Sequence, residues 1–132
     1  MDLHSFFHVA LKVEDVDEAA AFYRDALDGD LLERGHADGK AGAEAVEHAA
    51  LEVADKRVYV FDRAPYEAAG LVDPLPTGFL HFGYVVEDVD RAMAALPNGA
   101  VEVVMEPTVF ADLQVAFFRG PGDVRIEFIE YL

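Results

Sequence analysis

At 132 residues, 53% hydrophobic and 27% charged, the chain has the composition of one globular domain with a sizeable core rather than of a disordered segment. It contains no cysteine, so a disulfide scaffold, thiolate zinc sites and thiol nucleophiles are excluded, and any metal must rest on His, Asp and Glu. Ten Lys and Arg against 26 Asp and Glu leave a net charge of −16, the wrong sign for nucleic-acid phosphates or an anionic membrane surface.

Phe6–Val13 alternates well enough to predict a first strand. Asp15 or Asp17 can then cap a helix, because a short carboxylate accepts from the free amides of a first turn. Ala19, Ala20, Phe22, Tyr23 and Ala26 give that helix an apolar face, and it should end near Leu27–Gly29. Leu31–Arg34 reads as a short strand, followed by a Gly- and Ala-rich loop through Ala45. Glu47–Val53 and Arg57–Asp62 are strands joined by a tight turn at Ala54–Lys56. Pro74, Pro76 and Gly78 mark a linker. Beyond it come strand Leu80–Val86, helix Val89–Leu96, the turn Pro97-Asn98-Gly99, and strands near Val101–Glu106, Leu113–Phe118 and Val124–Tyr131. Gly120-Pro121-Gly122-Asp123 turns the chain between the last two.

The two halves repeat. HVALKVEDVDEAAAF from His8 aligns with HFGYVVEDVDRAMAA from His81, matching Val13 to Val86 and Glu14-Asp15-Val16-Asp17 to Glu87-Asp88-Val89-Asp90. Acidic residues before a helix are commonplace, but equivalent histidines are not explained by generic patterning. The expected organisation is a single domain over 1–132, with module one at about 1–72, a linker at about 73–79 and module two at about 80–132. Each module has the order βαβββ.

Three polar residues fall inside these strands. His8 and His81 lie in the first strand of each module, and Glu127 lies in the last, facing opposite to Ile126 and Phe128. A carboxylate in so apolar a strand faces either water or something that compensates its charge. Two imidazoles and one carboxylate form the facial set of non-haem iron(II) and also suit zinc, nickel, cobalt or manganese. Such a set leaves coordination positions open for a substrate. Taken singly, each residue has a plainer structural explanation; their joint placement carries the expectation.

The repeat resembles the vicinal oxygen chelate superfamily, which includes glyoxalase I, extradiol dioxygenases, methylmalonyl-CoA epimerase, fosfomycin-resistance enzymes and metal-free bleomycin-binding proteins. The residues behind the likeness are His8 with Val13-Glu14-Asp15, Ala20-Ala21-Phe22-Tyr23, His81 with Val86-Glu87-Asp88, and Glu127 after the Gly120–Asp123 turn. The resemblance implies an α+β fold of two βαβββ modules forming a cupped mixed sheet around a metal site. It implies His8, His81 and Glu127 as metal ligands, with Glu127 also the catalytic carboxylate.

The sequence departs from the family pattern in three places. Gly120 stands where the last turn commonly has Asp, and Asp123 where it has Gly. Tyr59 occupies the place of the fourth ligand of glyoxalase-like members, with Asp62 and Glu52 nearby but out of register. Phe117 stands where ring-cleaving dioxygenases carry a tyrosine; His48 has the interval, though not a secure register, of their second-sphere histidine.

The leading expectation is therefore a divalent-metal-dependent lyase or isomerase of glyoxalase type, acting on a small oxygen-chelating substrate. The alternatives are an extradiol-type iron(II) dioxygenase and a non-catalytic small-molecule binding or resistance protein. Tyr59, Phe61, Phe82, Phe117 and Phe118 are the expected pocket wall, and Lys12, Arg57 and Arg125 could meet an anionic group, although strand cations are more often solvated. His4 and His36 are expected at the surface. Modules in this superfamily pair within a chain or across a dimer, which leaves a homodimer open.

No basic stretch followed by an apolar run opens the sequence, so a cytoplasmic location is the default expectation. Only Lys12, Lys40 and Lys56 are lysine, and this acidic, lysine-poor composition is similar to that of halophile proteins, where salt screens self-repulsion. The urea denaturation midpoint should rise when sodium chloride increases from millimolar to molar; a flat or falling midpoint contradicts the salt-adapted surface.

Overall fold

The computed structural model describes residues 1–36, 46–97 and 101–132. Most of the Gly- and Ala-rich loop before Val46, and Asn98 and Gly99 of the Pro97 turn, lie outside them. The eight strands form one mixed sheet in the order β2-β3-β4-β1-β5-β8-β7-β6, an α+β architecture as the sequence predicts. The strands are β1 (Leu3–Lys12), β2 (Asp30–Gly35), β3 (His48–Val53), β4 (Lys56–Phe61), β5 (Gly78–Val86), β6 (Glu102–Phe110), β7 (Leu113–Arg119) and β8 (Arg125–Tyr131). Helices α1 (Val16–Ala26), α2 (Pro65–Ala68) and α3 (Val89–Ala94) complete the described elements, with a short 3-10 turn at Pro121–Asp123. Among the described residues no helix is long and apolar enough to cross a membrane. Two compact units emerge, His8–Leu80 and Met1–Phe7 with His81–Leu132.

In the unit of His8–Leu80, β1 runs parallel to β4, with Val9 opposite Val58 and Ala10 opposite Tyr59. Strands β2, β3 and β4 are antiparallel neighbours, and Ala54 takes φ 55° in the tight turn between β3 and β4. Asp15 caps α1, its carboxylate accepting from the Glu18 amide at 3.0 Å. The helix then lays Val16 and Ala20 on Ala49, Leu51 and Val60, the apolar side of the sheet. Strand alternation consequently sends His8, Arg57, Tyr59 and Phe61 to the other side. Phe22, expected on the apolar face of α1, is 57% exposed: the helix contact is made by its smaller residues.

The unit of Met1–Phe7 and His81–Leu132 repeats that plan. Strand β5 runs parallel to β8, with Phe82 opposite Ile126 and Gly83 opposite Glu127, and β7 is antiparallel to β8. Asp88 caps α3 from the position equivalent to Asp15, accepting from the Arg91 amide at 2.9 Å. Val89 and Ala92 of α3 pack on Val86, Ala116, Phe118 and Phe128. Helix α3 ends at Ala94, two residues short of the expected end. Phe6 and Phe7 belong to this unit, with their rings against Phe82, Tyr84 and Tyr131.

Helix α2 was not foreseen, and it is held by a partly buried ion pair. Lys12 Nζ lies 2.6 Å from both Glu67 Oε2 and the Leu75 carbonyl oxygen, while Glu67 also accepts from the Ala64 and Leu75 amides. These contacts fasten the segment after β4 to the end of β1. Lys12 is thus engaged within the fold and does not stand ready for an anionic ligand. Burial pushes the Glu67 carboxyl upward, but the Ala64 amide, the Lys12 ammonium and the Leu75 amide outweigh it and hold the group below its ordinary value. A carboxyl depressed in the folded state contributes stability above its unfolded value and loses it as pH falls through the folded one. The stability gap between the native chain and Glu67→Gln, read from urea midpoints, should therefore narrow as pH falls from neutral through the glutamate range.

Candidate metal centre

Glu127 is 7% exposed and His81 only 1%, inside a unit whose core is otherwise aliphatic and aromatic. The β5–β8 register explains how they meet. Gly83 stands opposite Glu127, so His81, two residues earlier on β5, lies on the same face of the sheet and diagonally next to it. The glycine between them leaves that face without a side chain at the intervening place. Nε2 of His81 and Oε1 of Glu127 are 3.4 Å apart. Phe117, fully buried and opposite Glu127 across the β7–β8 ladder, sets its ring edge-on to the His81 imidazole at 4.9 Å.

In the other unit His8 is 3% exposed. Its ring meets that of Tyr59 edge-on at 4.9 Å, the same spacing as His81 and Phe117. Tyr59 pairs with Ala10 as Glu127 pairs with Gly83, so the two residues are register equivalents in the two modules, as the sequence alignment implied. Arg57 donates through Nη1 to the Tyr59 hydroxyl oxygen at 3.3 Å. His8 in its unit, and His81 with Glu127 in the other, are all buried residues of the types that could hold a metal ion.

The spacing of His81 and Glu127 fits such an ion. Two ligand atoms each about 2.1 Å from one cation are separated by about 3.0–3.4 Å at octahedral to tetrahedral angles. The His81–Glu127 separation falls at the upper edge of that range. Two imidazoles and a carboxylate also have the mixed hardness that zinc, nickel, cobalt, manganese and iron(II) accept.

The remaining expected residues divide. Tyr59 and Phe61 stack at 6.0 Å on the His8 face of their unit, and Phe117 lies on the His81 face of its own. Phe82 and Phe118 do not belong with them. Phe118 packs under α3 against Phe128, and Phe82, opposite Ile126, points to that same helix-covered side. Asp62 accepts from the Glu47 amide at 3.1 Å and so ties two strand ends together, while Glu52 is exposed. His48 packs on Phe61 and pairs with Glu33 Oε1 at 3.3 Å, a cross-strand contact that accounts for its place. His4 is exposed, and so is His36, beside Glu47.

The model of the Glyoxalase/Bleomycin resistance protein/Dioxygenase superfamily matches residues 5–128. The chain belongs to that superfamily. It is thus a vicinal oxygen chelate protein, and members of that superfamily typically bind a divalent metal. Solved structures of similar fold include a hypothetical protein from Bacillus halodurans C-125, at 20% identity and TM-score 0.75, covering 97% of this chain and 94% of that one. Methylmalonyl-CoA epimerase from Mycobacterium tuberculosis is similar at 23% identity and TM-score 0.75, covering 98% and 89%. A methylmalonyl-CoA epimerase from Streptomyces coelicolor, in complex with 2-nitronate-propionyl-CoA, is similar at 20% identity and TM-score 0.69, covering 98% and 99%. No curated protein matches the chain.

Because Phe117 both fills the core and buttresses the His81 ring, Phe117→Ala should destabilise the protein by about 3–5 kcal/mol, the range for deleting a buried aromatic ring. Urea unfolding measures it. A loss under 1 kcal/mol would show that the ring supports little.

Proposed function

We propose that this vicinal oxygen chelate protein is a divalent-metal-dependent enzyme of glyoxalase type, a lyase or isomerase acting on a small substrate that presents two neighbouring oxygens. The observation that carries the reading is the buried approach of His81 Nε2 to Glu127 Oε1 at 3.4 Å, with His8 buried at the equivalent place of the other unit; His8, His81 and Glu127 would be the ligands. A divalent cation held there would supply Lewis acidity to substrate oxygens at its open positions. Burial of the two imidazoles and the carboxylate excludes bulk water, which strengthens every charge interaction in the site. The Phe117 ring packs edge-on against His81 and the Tyr59 ring against His8, which limits how far either imidazole can turn. Glu127 is the carboxylate in reach of a substrate proton, and its approach to His81 sets the direction from which it would accept. The fold likeness to methylmalonyl-CoA epimerases, which are isomerases, supports proton transfer as the general kind of reaction.

Tyr59 in the register place of Glu127 makes the reading one of three protein ligands rather than four. Its phenol hydroxyl accepts from Arg57. Oxygen chemistry is the weaker alternative, because Phe117 carries no hydrogen-bond donor at the place where ring-cleaving relatives have a tyrosine.

Metal content after purification without chelator, followed by competition against a chromogenic chelator, tests the site. His8→Ala, His81→Ala and Glu127→Ala should each weaken metal binding by at least 100-fold, whereas Tyr59→Phe should change it less than threefold. Unaltered binding in the first three would remove the proposal. Turnover of hemithioacetals or 2-substituted malonyl thioesters, with solvent deuterium incorporated at the acidic carbon, should then accompany the loaded protein. Oxygen uptake with catechols would instead establish a dioxygenase.

A further inference from the structure

Helix α2 is too short to hold itself, because four residues form hardly one turn and the first turn is the costly one. The fold closes it at both ends. The Ala64 amide donates to Glu67 Oε1 at 2.7 Å. Beyond Gly70, at φ 75°, the Leu71 amide donates back to the Tyr66 carbonyl oxygen at 2.9 Å. Two adjacent residues of this fixed turn then make contacts in different directions. Glu67 accepts from Lys12 Nζ and the Leu75 amide at 2.6 and 2.8 Å, while the Tyr66 hydroxyl donates to the Leu80 carbonyl oxygen at 3.3 Å.

These contacts fall on the strands that carry the two histidines. Lys12 follows His8 on β1, and Leu80 on β5 immediately precedes His81. Between Leu75 and Leu80 the chain turns into β5 at Gly78, whose φ of 123° is one that L side chains rarely adopt. Among the described residues, nothing beyond its chain neighbours comes within 4 Å of where a Cβ would be. The glycine therefore serves the backbone conformation and not a close approach, and β5 begins at a soft joint. Helix α2 brackets that joint, Glu67 holding Leu75 before it and Tyr66 holding Leu80 after it. Pro74 and Pro76, on either side of Leu75, stiffen the approach by fixing their own φ. Tyr66 and Leu80 are both fully buried. A contact needed for packing alone would be met by phenylalanine, which fills the same space and asks for no hydrogen-bond partner.

We propose that α2 is a clip that fixes the start of β5, and that Tyr66 and Glu67 are thereby positioning residues for the His81 imidazole. Neither touches substrate or metal: Tyr66 acts through the Leu80 backbone and Glu67 through that of Leu75. A site side chain must be held to about 0.5 Å of its productive place, which a strand entered through a glycine joint does not secure unaided. The consequence for metal binding rests on the proposed function above; the fixing of β5 does not.

Tyr66→Phe in the full chain is the deciding variant, because it keeps the ring and removes only the hydroxyl. In metal-free protein, nitrogen–proton spectra should show the His81 ring signals displaced, while those of His4 and His48 stay in place. Amide exchange over Phe79–Phe82 should quicken. Zinc affinity, read by competition against a chromogenic chelator, should fall about tenfold, the low end of what residues supporting a ligand cost. Val53→Ala, which thins the packing under α1, is the control: it should lower the urea midpoint and leave the His81 signals and zinc affinity unchanged. If thermal melts show Tyr66→Phe unfolded, Glu67→Gln decides by the same readings. In a native chain that binds zinc, unmoved His81 signals or unchanged zinc affinity in Tyr66→Phe would overturn the positioning role and leave the metal centre standing. A native chain that takes up no zinc, nickel, cobalt, manganese or iron(II) removes the metal centre instead. The His81 signals then decide the clip alone, displacement supporting it and constancy overturning it.

Discussion

The structure turns on a carboxylate that has no business in an apolar sheet unless something meets its charge. Glu127 lies on a strand whose other buried residues, Phe128 and Ile129, are hydrophobic, and it is nearly inaccessible to water. Leaving such a group unpaired would cost several kcal/mol, more than most single interactions contribute to a small domain. His81 is beside it, and Gly83 vacates the place between. A protein seeking only stability would have replaced the histidine and the glutamate by a hydrophobic pair of similar volume, which is often neutral or better. Their retention in a well-packed face is the reason to look for a cation there.

The duplicated plan acts as an internal control. Both modules set a parallel pair of strands in the same register, put a short capped helix on one side and leave the other side free for polar residues. What differs at equivalent positions is therefore chemistry and not folding. Tyr59 replaces the carboxylate of Glu127, and Glu52 stands where Arg119 does. In the first module the polar face is internally neutralised, Arg57 bonding to Tyr59 and lying opposite Glu52. In the second it keeps a carboxylate next to an imidazole and, one rung away, sets Arg119 opposite Arg125. The halves share a scaffold and have divided the work.

Much of this was legible in the sequence because strands and helices announce themselves locally. Alternation along Leu80–Val86 and the paired EDVD caps gave the element order, and the repeated histidines gave the candidate ligands. The misplacements have a common origin: they concern pairings between distant residues. Phe82 and Phe118 read as pocket wall because they adjoin His81 and Phe117 in sequence, yet adjacency in a strand means opposite faces. Counting in twos from His81 and Glu127 would have excluded both. Helix α2 was missed because four residues carry too little periodicity, and its anchor joins Lys12 to a glutamate 55 positions away. Arg119 was overlooked for the same reason; it becomes notable only when the β7–β8 register sets it against Arg125.

The acidity of the chain bears on the site as well as on the surface. With 26 carboxylates against ten basic residues, several cations are engaged in ion pairs: Arg24 with Asp25, Arg34 with Asp17, Lys56 with Asp55, Lys12 with Glu67. Exposed pairs of this kind contribute little to stability, though they trim the repulsion that so much negative charge produces. High salt would shrink the long-range repulsion of an anionic substrate within a few ångströms of the surface, but it acts least on buried groups. The buried approach of His81 to Glu127 thus keeps its charge interaction when the rest of the field has been screened away.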